Sequence, residues 1–335
     1  MGLRHTKADL IQILEAIYEV EQPREDWLEG VLRAGLASLG GQTGMAGVLY
    51  DISDGRTLRT NAVIGVDLAP GWREMGIEMH ASPALADGIA AGYRRDLCAT
   101  LRESLNGATA EGVHRYYRRF GYEDGMMING MDVSGVGSAL FHFSSARIDL
   151  SARTREVLSR VATHLATGYR LQRRLSESAS ETPAPVEAVL KTGGEISHAE
   201  PPAQSREARS SLTEAVKRME WARGQARHED DDAVTAWRGL VTGRWTLVDC
   251  YERGGRRYIV ARENTPASRG PEALSARERQ VASLAALGRS NKLIAYELDL
   301  AHSTVRVLLS RAAAKLGVAS RQDLVALWQK RLQNE

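Results

Sequence analysis

Apolar and polar positions alternate along this chain with two periods, and the change from one to the other marks its elements. "LIQILEAIYEV" (10–20) and "WLEGVLRAGLASLG" (27–40) repeat at helical spacing, whereas "GMAGVLYDISDGRTLRTNAVIGV" (44–66) reads as two strands around a Ser-Asp-Gly-Arg turn. Strand text returns at "MMINGMDVSGVGSALFHFSS" (126–145), and "TREVLSRVATHLATGYRLQRRL" (154–175) carries a helical stripe of Val157, Leu158, Val161, Leu165, Tyr169 and Leu171. Further on, "AVLKTGGEISHAE" and "GRWTLVDCYERGGRRYIVARE" predict two hairpins, with the helical text "REARSSLTEAVKRMEWARG" and the acidic run "HEDDDA" between them. "SESASETPAP" (176–185), rich in Ser, Glu, Ala and Pro and nearly empty of large apolar residues, and "NTPASRGPEA" (264–273), with two prolines and a glycine, predict linkers. The chain then divides into 1–175, 186–263 and 274–335, a number of domains suited to 335 residues. The expected fold is multidomain: antiparallel sheets flanked by helices, then an all-α unit of four helices.

The order of elements in 1–175, closing on a long helix after "FHFSSARIDL", resembles the GAF-type sensory modules that precede regulatory output domains. Hairpin, helices, hairpin over 186–263 is similar to a small PAS-like module, with a non-sensory adaptor as the alternative.

From Leu274 the text is more specific. Ser275 and Glu278 stand at capping-box spacing, which starts a first helix at about Ala276, and Gly288 is placed to end it. Ser290 can cap a second helix containing Leu293, Ile294, Tyr296 and Leu298. For the third helix, at about 100° per residue, Leu308, Leu309, Ala312 and Leu316 fall within about 60° of Val305 and face the core. Ser303, Arg306, Val307, Ser310, Ala314 and, less centrally, Arg311 fall opposite. Small residues let a helix sink into a groove about 12 Å wide, guanidiniums grip phosphate or guanine, and a valine meets a thymine methyl.

Leu274, Arg277, Glu278, Val281, "SNKLIA" (290–295), Thr304-Val305-Arg306, "KLGV" (315–318) and "SRQDLVAL" (320–327) together resemble the LuxR/GerE-type helix-turn-helix of bacterial transcription regulators. The resemblance implies that the helix near 302–316 is a recognition helix, that Lys292 is a phosphate contact, and that the last helix, about 320–332, is a dimerisation surface. Spacing and resemblance together give a DNA-binding set of Lys292, Ser303, Thr304, Arg306, Val307, Ser310, Arg311 and Lys315. Asp299, Ala301 and Leu308 depart from the family's usual turn glycine, capping serine and histidine. Asp299 can still serve the turn, and Ser303 is expected to stand in for the missing cap hydroxyl.

Charge supports this reading. Net charge is only +2 overall, but 274–335 holds ten Lys and Arg against five Asp and Glu, a local +5 that leaves −3 elsewhere. Catalytic chemistry finds no support: "GGQTGMAG" (40–47) lacks the lysine of a phosphate loop and reads as a helix end and turn, and the histidines are unpaired. No catalytic residue, metal or cofactor is expected. Cys98 and Cys250 have no metal or disulfide spacing and are expected to be buried, in a reducing compartment. With no long apolar run and no secretory signal, the chain is expected in the cytoplasm, bound as a homodimer to double-stranded DNA, with RNA polymerase as a further candidate partner. Two other readings compete: a protein acting mainly through partner contacts, and a sigma-factor-like regulator. A third makes 1–175 an acyl-homoserine-lactone receptor with Trp27, Tyr50, Asp51 and Trp72 in its pocket, against their more ordinary role as core aromatics.

Overall fold

The computed structural model describes residues 9–40, 43–54, 57–177, 185–227, 230–252, 255–266, 271 and 273–334. Most of the expected linker 176–185 and part of 264–273 lie outside the described residues, as do Gly55 and Gly254 of two expected turns.

Helices α1 (Leu10–Ile17) and α2 (Arg24–Leu39) precede the hairpin β1 (Met45–Asp51) and β2 (Arg59–Val66). Then come α3 (Trp72–Ala81), α4 (Pro83–Arg95), β3 (Cys98–Thr100), α5 (Leu101–Ser104), α6 (Gly107–Arg118), β4 (Asp124–Met131), β5 (Val136–Ser144) and the long α7 (Ala152–Glu177). The strands form one antiparallel sheet in the order β2-β1-β5-β4-β3. Because side chains alternate across a strand, Met45 and Leu49 of β1 join a core with α1, α2 and α7, while Ala46, Val48 and Tyr50 join a second core under α3, α4 and α6. Both faces are covered, which is why β1 reads as a continuous apolar run rather than an alternating one. Close approach of α7 depends on missing side chains: a Cβ on Gly130 would come within 2.5 Å of the Ala166 nitrogen, and one on Gly168 within 2.4 Å of Ile17.

The hairpins β6 (Val186–Lys191) with β7 (Ile196–Ala199), and β8 (Trp245–Tyr251) with β9 (Arg257–Glu263), combine into a second antiparallel sheet ordered β7-β6-β9-β8. Helices α8 (Arg206–Arg223) and α9 (Asp230–Ala236) lie between them in the chain. Leu212, Val216, Trp237 and Leu247 share one apolar core with Ile13, Trp27 and Leu165, so the first two regions pack as one mass. Cys98 is buried as expected, but Cys250 is exposed, because it lies near the end of an edge strand with no layer over it.

The C-terminal region is all helical: α10 (Ala276–Ala286), α11 (Asn291–Glu297), α12 (His302–Lys315) and α13 (Arg321–Asn334). Their core is Leu274, Val281, Leu284, Ile294, Val305, Leu309, Leu324 and Trp328, joined by Leu240 from before β8. The Ser275–Glu278 capping box forms, and Gly288 follows α10 at φ 79°.

Candidate DNA-reading surface and its junction

Helix α12 divides its faces as the angular reading requires. Val305, Leu309 and Ala312 are buried, and Leu308 and Leu316 are half-buried against the same core. Ser303, Thr304, Arg306, Ser310, Arg311 and Ala314 are exposed, and Val307 is left 48% exposed, a large apolar side chain with nothing over it. A groove of about 380 Å³ beside this face is lined by Asn291, Arg306, Ser310, Ala314 and Arg321.

Two departures in the sequence acquire physical meaning. Asp299 adopts φ 52° in the turn before α12, a left-handed conformation that Asp tolerates better than most residues. Its carboxylate also accepts from the Thr242 backbone N–H at 3.3 Å, a contact that a turn glycine lacks. Ala301 is the N-cap of α12, and no side chain caps the helix there; Ser303 lies one residue inside the first turn and does not replace the hydroxyl.

The remaining expected residues are paired. Lys315 Nζ donates to Glu278 Oε2 at 2.8 Å, and this bond, with that from the Ser275 N–H, holds the Glu278 carboxyl below its ordinary range. Lys292 forms an ion pair with Glu156 of α7, and its amine holds that carboxyl low as well. The expected residues on α12 other than Lys315 are thus exposed on its open side, while Lys315 is drawn to α10 and Lys292 points to the junction with the rest of the molecule.

That junction has no counterpart in the sequence reading. Tyr296, on α11, is fully buried, with its hydroxyl 2.6 Å from His164 Nε2, 2.6 Å from the Val234 carbonyl and 2.9 Å from the Trp237 carbonyl. His164 Nδ1 meets the Tyr18 hydroxyl at 2.8 Å, and burial pushes the imidazole down to about 3. Because carbonyls only accept, the Tyr296 proton goes to one of them, so in a neutral ring Nε2–H donates to Tyr296 and Nδ1 accepts from Tyr18. Beside it, Arg289 donates to the Met131 carbonyl at 3.2 Å, and Arg170 bonds Asp132 at 2.8 Å and Asn264 at 3.0 Å. Burial drives the Glu297 carboxyl up and the Arg289 guanidinium down, and each tempers the other's shift. Arg277 donates to the Thr242 carbonyl. Residues from 18 to 297 meet here, and no short motif joins them.

The four aromatic-pocket candidates do not form one pocket. Trp27 stacks on Tyr169 on one side of the first sheet, whereas Tyr50, stacked on Tyr93, and Trp72 lie in the core on the other; Asp51 accepts from the Ser53 N–H. Trp27, Tyr50 and Trp72 are core aromatics. A cavity of about 40 Å³ does lie on the α3–α6 side, lined by residues that include His80, Tyr93, Tyr117 and Phe141. Tyr93 donates to His80 Nε2 at 2.8 Å while Nδ1–H donates to the Gly76 carbonyl, and burial lowers the imidazole's proton affinity.

Residues 272–328 match the family of bacterial regulatory proteins, luxR family, so the C-terminal region is a LuxR-type helix-turn-helix domain, a DNA-binding class of transcription regulation. Within it the chain is 43% identical over 56 residues to a monoamine regulon transcriptional regulator of Klebsiella aerogenes, a match spanning 17% of this chain and 25% of that protein. The chain therefore aligns with about a quarter of that relative's length. Among solved structures it is similar to Escherichia coli SdiA, at 11% identity and a TM-score of 0.26 over 94% of each chain. SdiA in complex with octanoyl-rac-glycerol gives 11% and 0.24 over 96% of this chain and 88% of that one.

Proposed function

We propose that this chain is a bacterial transcriptional regulator that binds double-stranded promoter DNA as a dimer through residues 274–335, under the control of what precedes them. The observation that carries the reading is the α12 face, where Ser303, Thr304, Arg306, Val307, Ser310 and Arg311 are exposed together beside a buried Val305 and Leu309. Two such helices, paired through the last helix, would enter successive major grooves about 34 Å apart on a near-palindromic site. The relative's description as a transcriptional regulator supports the same role for the matched domain.

In this reading 1–175 is a GAF-like sensory or assembly domain, 186–263 is a PAS-like one, and neither performs catalysis. Control reaches the DNA-reading unit through α11, whose Tyr296 and Lys292 touch α7. The protein works in the cytoplasm, on the nucleoid when bound, with RNA polymerase as a further partner.

The test is selection of binding sites from random duplexes, followed by a gel shift with wild type and Arg306→Ala plus Arg311→Ala. Loss of at least about tenfold in affinity is expected, since two phosphate or base contacts per subunit are removed. Undiminished binding by the double variant would refute the assignment of α12.

A further inference from the structure

A cleft of about 570 Å³ separates α7 and α9 from α11, within the size range of small-molecule sites. Four cationic side chains from three elements line it: Arg155 and Arg160 of α7, Arg238 after α9, and Lys292 of α11. Among the described residues Glu156 is the one carboxylate in the lining, and it is divided between Arg160 Nη2, at 2.9 Å, and Lys292. Arg155 is satisfied from outside the cleft, by Glu103 at 2.7 Å and the Cys98 carbonyl at 2.8 Å. Arg238 is held more loosely: it forms an ion pair with Asp299 at 3.7 Å from Nε, and that buried Nε makes no hydrogen bond. The guanidiniums of Arg160 and Arg238 instead lie over the Tyr296 ring, 5.7 and 5.1 Å from its centroid.

We infer that this cleft is a binding site for a small phosphorylated molecule, whose phosphate is held by Arg238, Arg160 and Lys292. Guanidiniums held on a ring face keep their N–H forks directed rather than free, and an undivided dianion supplies acceptors that Glu156 alone does not. A phosphate there competes with Glu156 for Lys292. The organic part of the ligand rests on Leu293 and Leu300, the half-buried apolar side chains of the lining. The occupant therefore touches both the long helix of the first region and the helix that precedes the DNA-reading one. Its effect on DNA rests on the function proposed above, whereas its binding does not.

Titration calorimetry on the full chain with inorganic phosphate, pyrophosphate, AMP, ATP and citrate tests the site. At least one phosphate compound is expected to bind one per chain with Kd below about 0.1 mM. Arg160→Gln with Arg238→Gln is expected to weaken it by at least about tenfold, a loss proper to charge-assisted bonds. Because that pair packs on Tyr296, the more exposed Arg155→Gln and Lys292→Gln provide a second set, and Lys292→Gln is expected to weaken binding at least about threefold. No phosphate compound binding tighter than about 1 mM, or binding that none of the variants alters, overturns the site. Citrate binding as tightly as the phosphates overturns the phosphate assignment. Displacement of the bound compound by short duplexes of any sequence, with a salt slope that Arg155→Gln lowers, would make the cleft a DNA-backbone surface instead. When the ligand is saturating, DNA affinity is expected to fall at least about threefold, as Lys292 is occupied. A wild type that binds the ligand but no DNA refutes the proposed function and leaves the site standing.

Discussion

Tyr296→Phe removes one oxygen from the junction, and the proton order sets what that costs. In the wild type the hydroxyl accepts from His164 Nε2–H and donates to the Val234 or Trp237 carbonyl, all in a fully buried setting. Phenylalanine fills the ring space but leaves a buried donor on His164 and a buried acceptor on the backbone. Each orphaned group costs about 1–3 kcal/mol, so a loss of about 2–6 kcal/mol is expected for the pair. At roughly 2 °C per kcal/mol for a chain of this size, Tm should fall by about 4–12 °C. Tyr18→Phe orphans only the acceptor lone pair of His164 Nδ1, 2.8 Å away, so its loss should be about half as large. Differential scanning calorimetry of both variants, with circular dichroism to confirm the native fold, reads the two shifts. If Tyr296→Phe melts within 1 °C of wild type, or if Tyr18→Phe costs more, the assigned proton order is wrong.

Acid should loosen the same junction. His164 is held near 3 in the folded chain against 6.5 in its ordinary state, so between those values the unfolded chain binds the extra proton. Its contribution is fully present above pH 6.5 and declines as pH falls, by up to about 1.4 kcal/mol per unit; His164→Gln should flatten this slope in a series of denaturant titrations. In the turn before α12, Asp299→Gly should be more stable than Asp299→Ala by about 1 kcal/mol by chemical denaturation, because only glycine takes φ 52° freely while both lose the Thr242 contact. Ala301→Ser should raise stability by about 0.5–1 kcal/mol by supplying the cap hydroxyl that α12 lacks, which a higher denaturation midpoint would show. Removing the two α12 guanidiniums should also reduce the log–log salt dependence of DNA affinity by about 2 per subunit, measured by anisotropy.

The C-terminal domain was readable because each of its requirements is local. A capping box three residues apart, a glycine after the last turn, and a helix whose apolar side is fixed by angle from Val305 all act within a few residues, and they are where the sequence places them. The hairpins β1–β2, β6–β7 and β8–β9 were legible for the same reason, since their pairings are between neighbours in the chain. The helices α3 to α6 were not: their apolar positions are diluted by small residues that only the covering sheet makes sense of, as where Gly76 lies against Val63. Nor could period alone show that Cys250 stands on an uncovered edge while Cys98 lies beneath a layer.

By itself, then, the sequence determined the helix-turn-helix and the face it leaves open, because helical period and capping are short-range physics. Tertiary structure decided that His164 is neutral, that Tyr296 is a buried bond partner, that Lys292 is paired with Glu156, and that four cations share one cleft. Those properties arise from burial and from charges more than 100 residues apart in the chain, as with the 136 positions between Glu156 and Lys292, and neither quantity exists until the chain has folded.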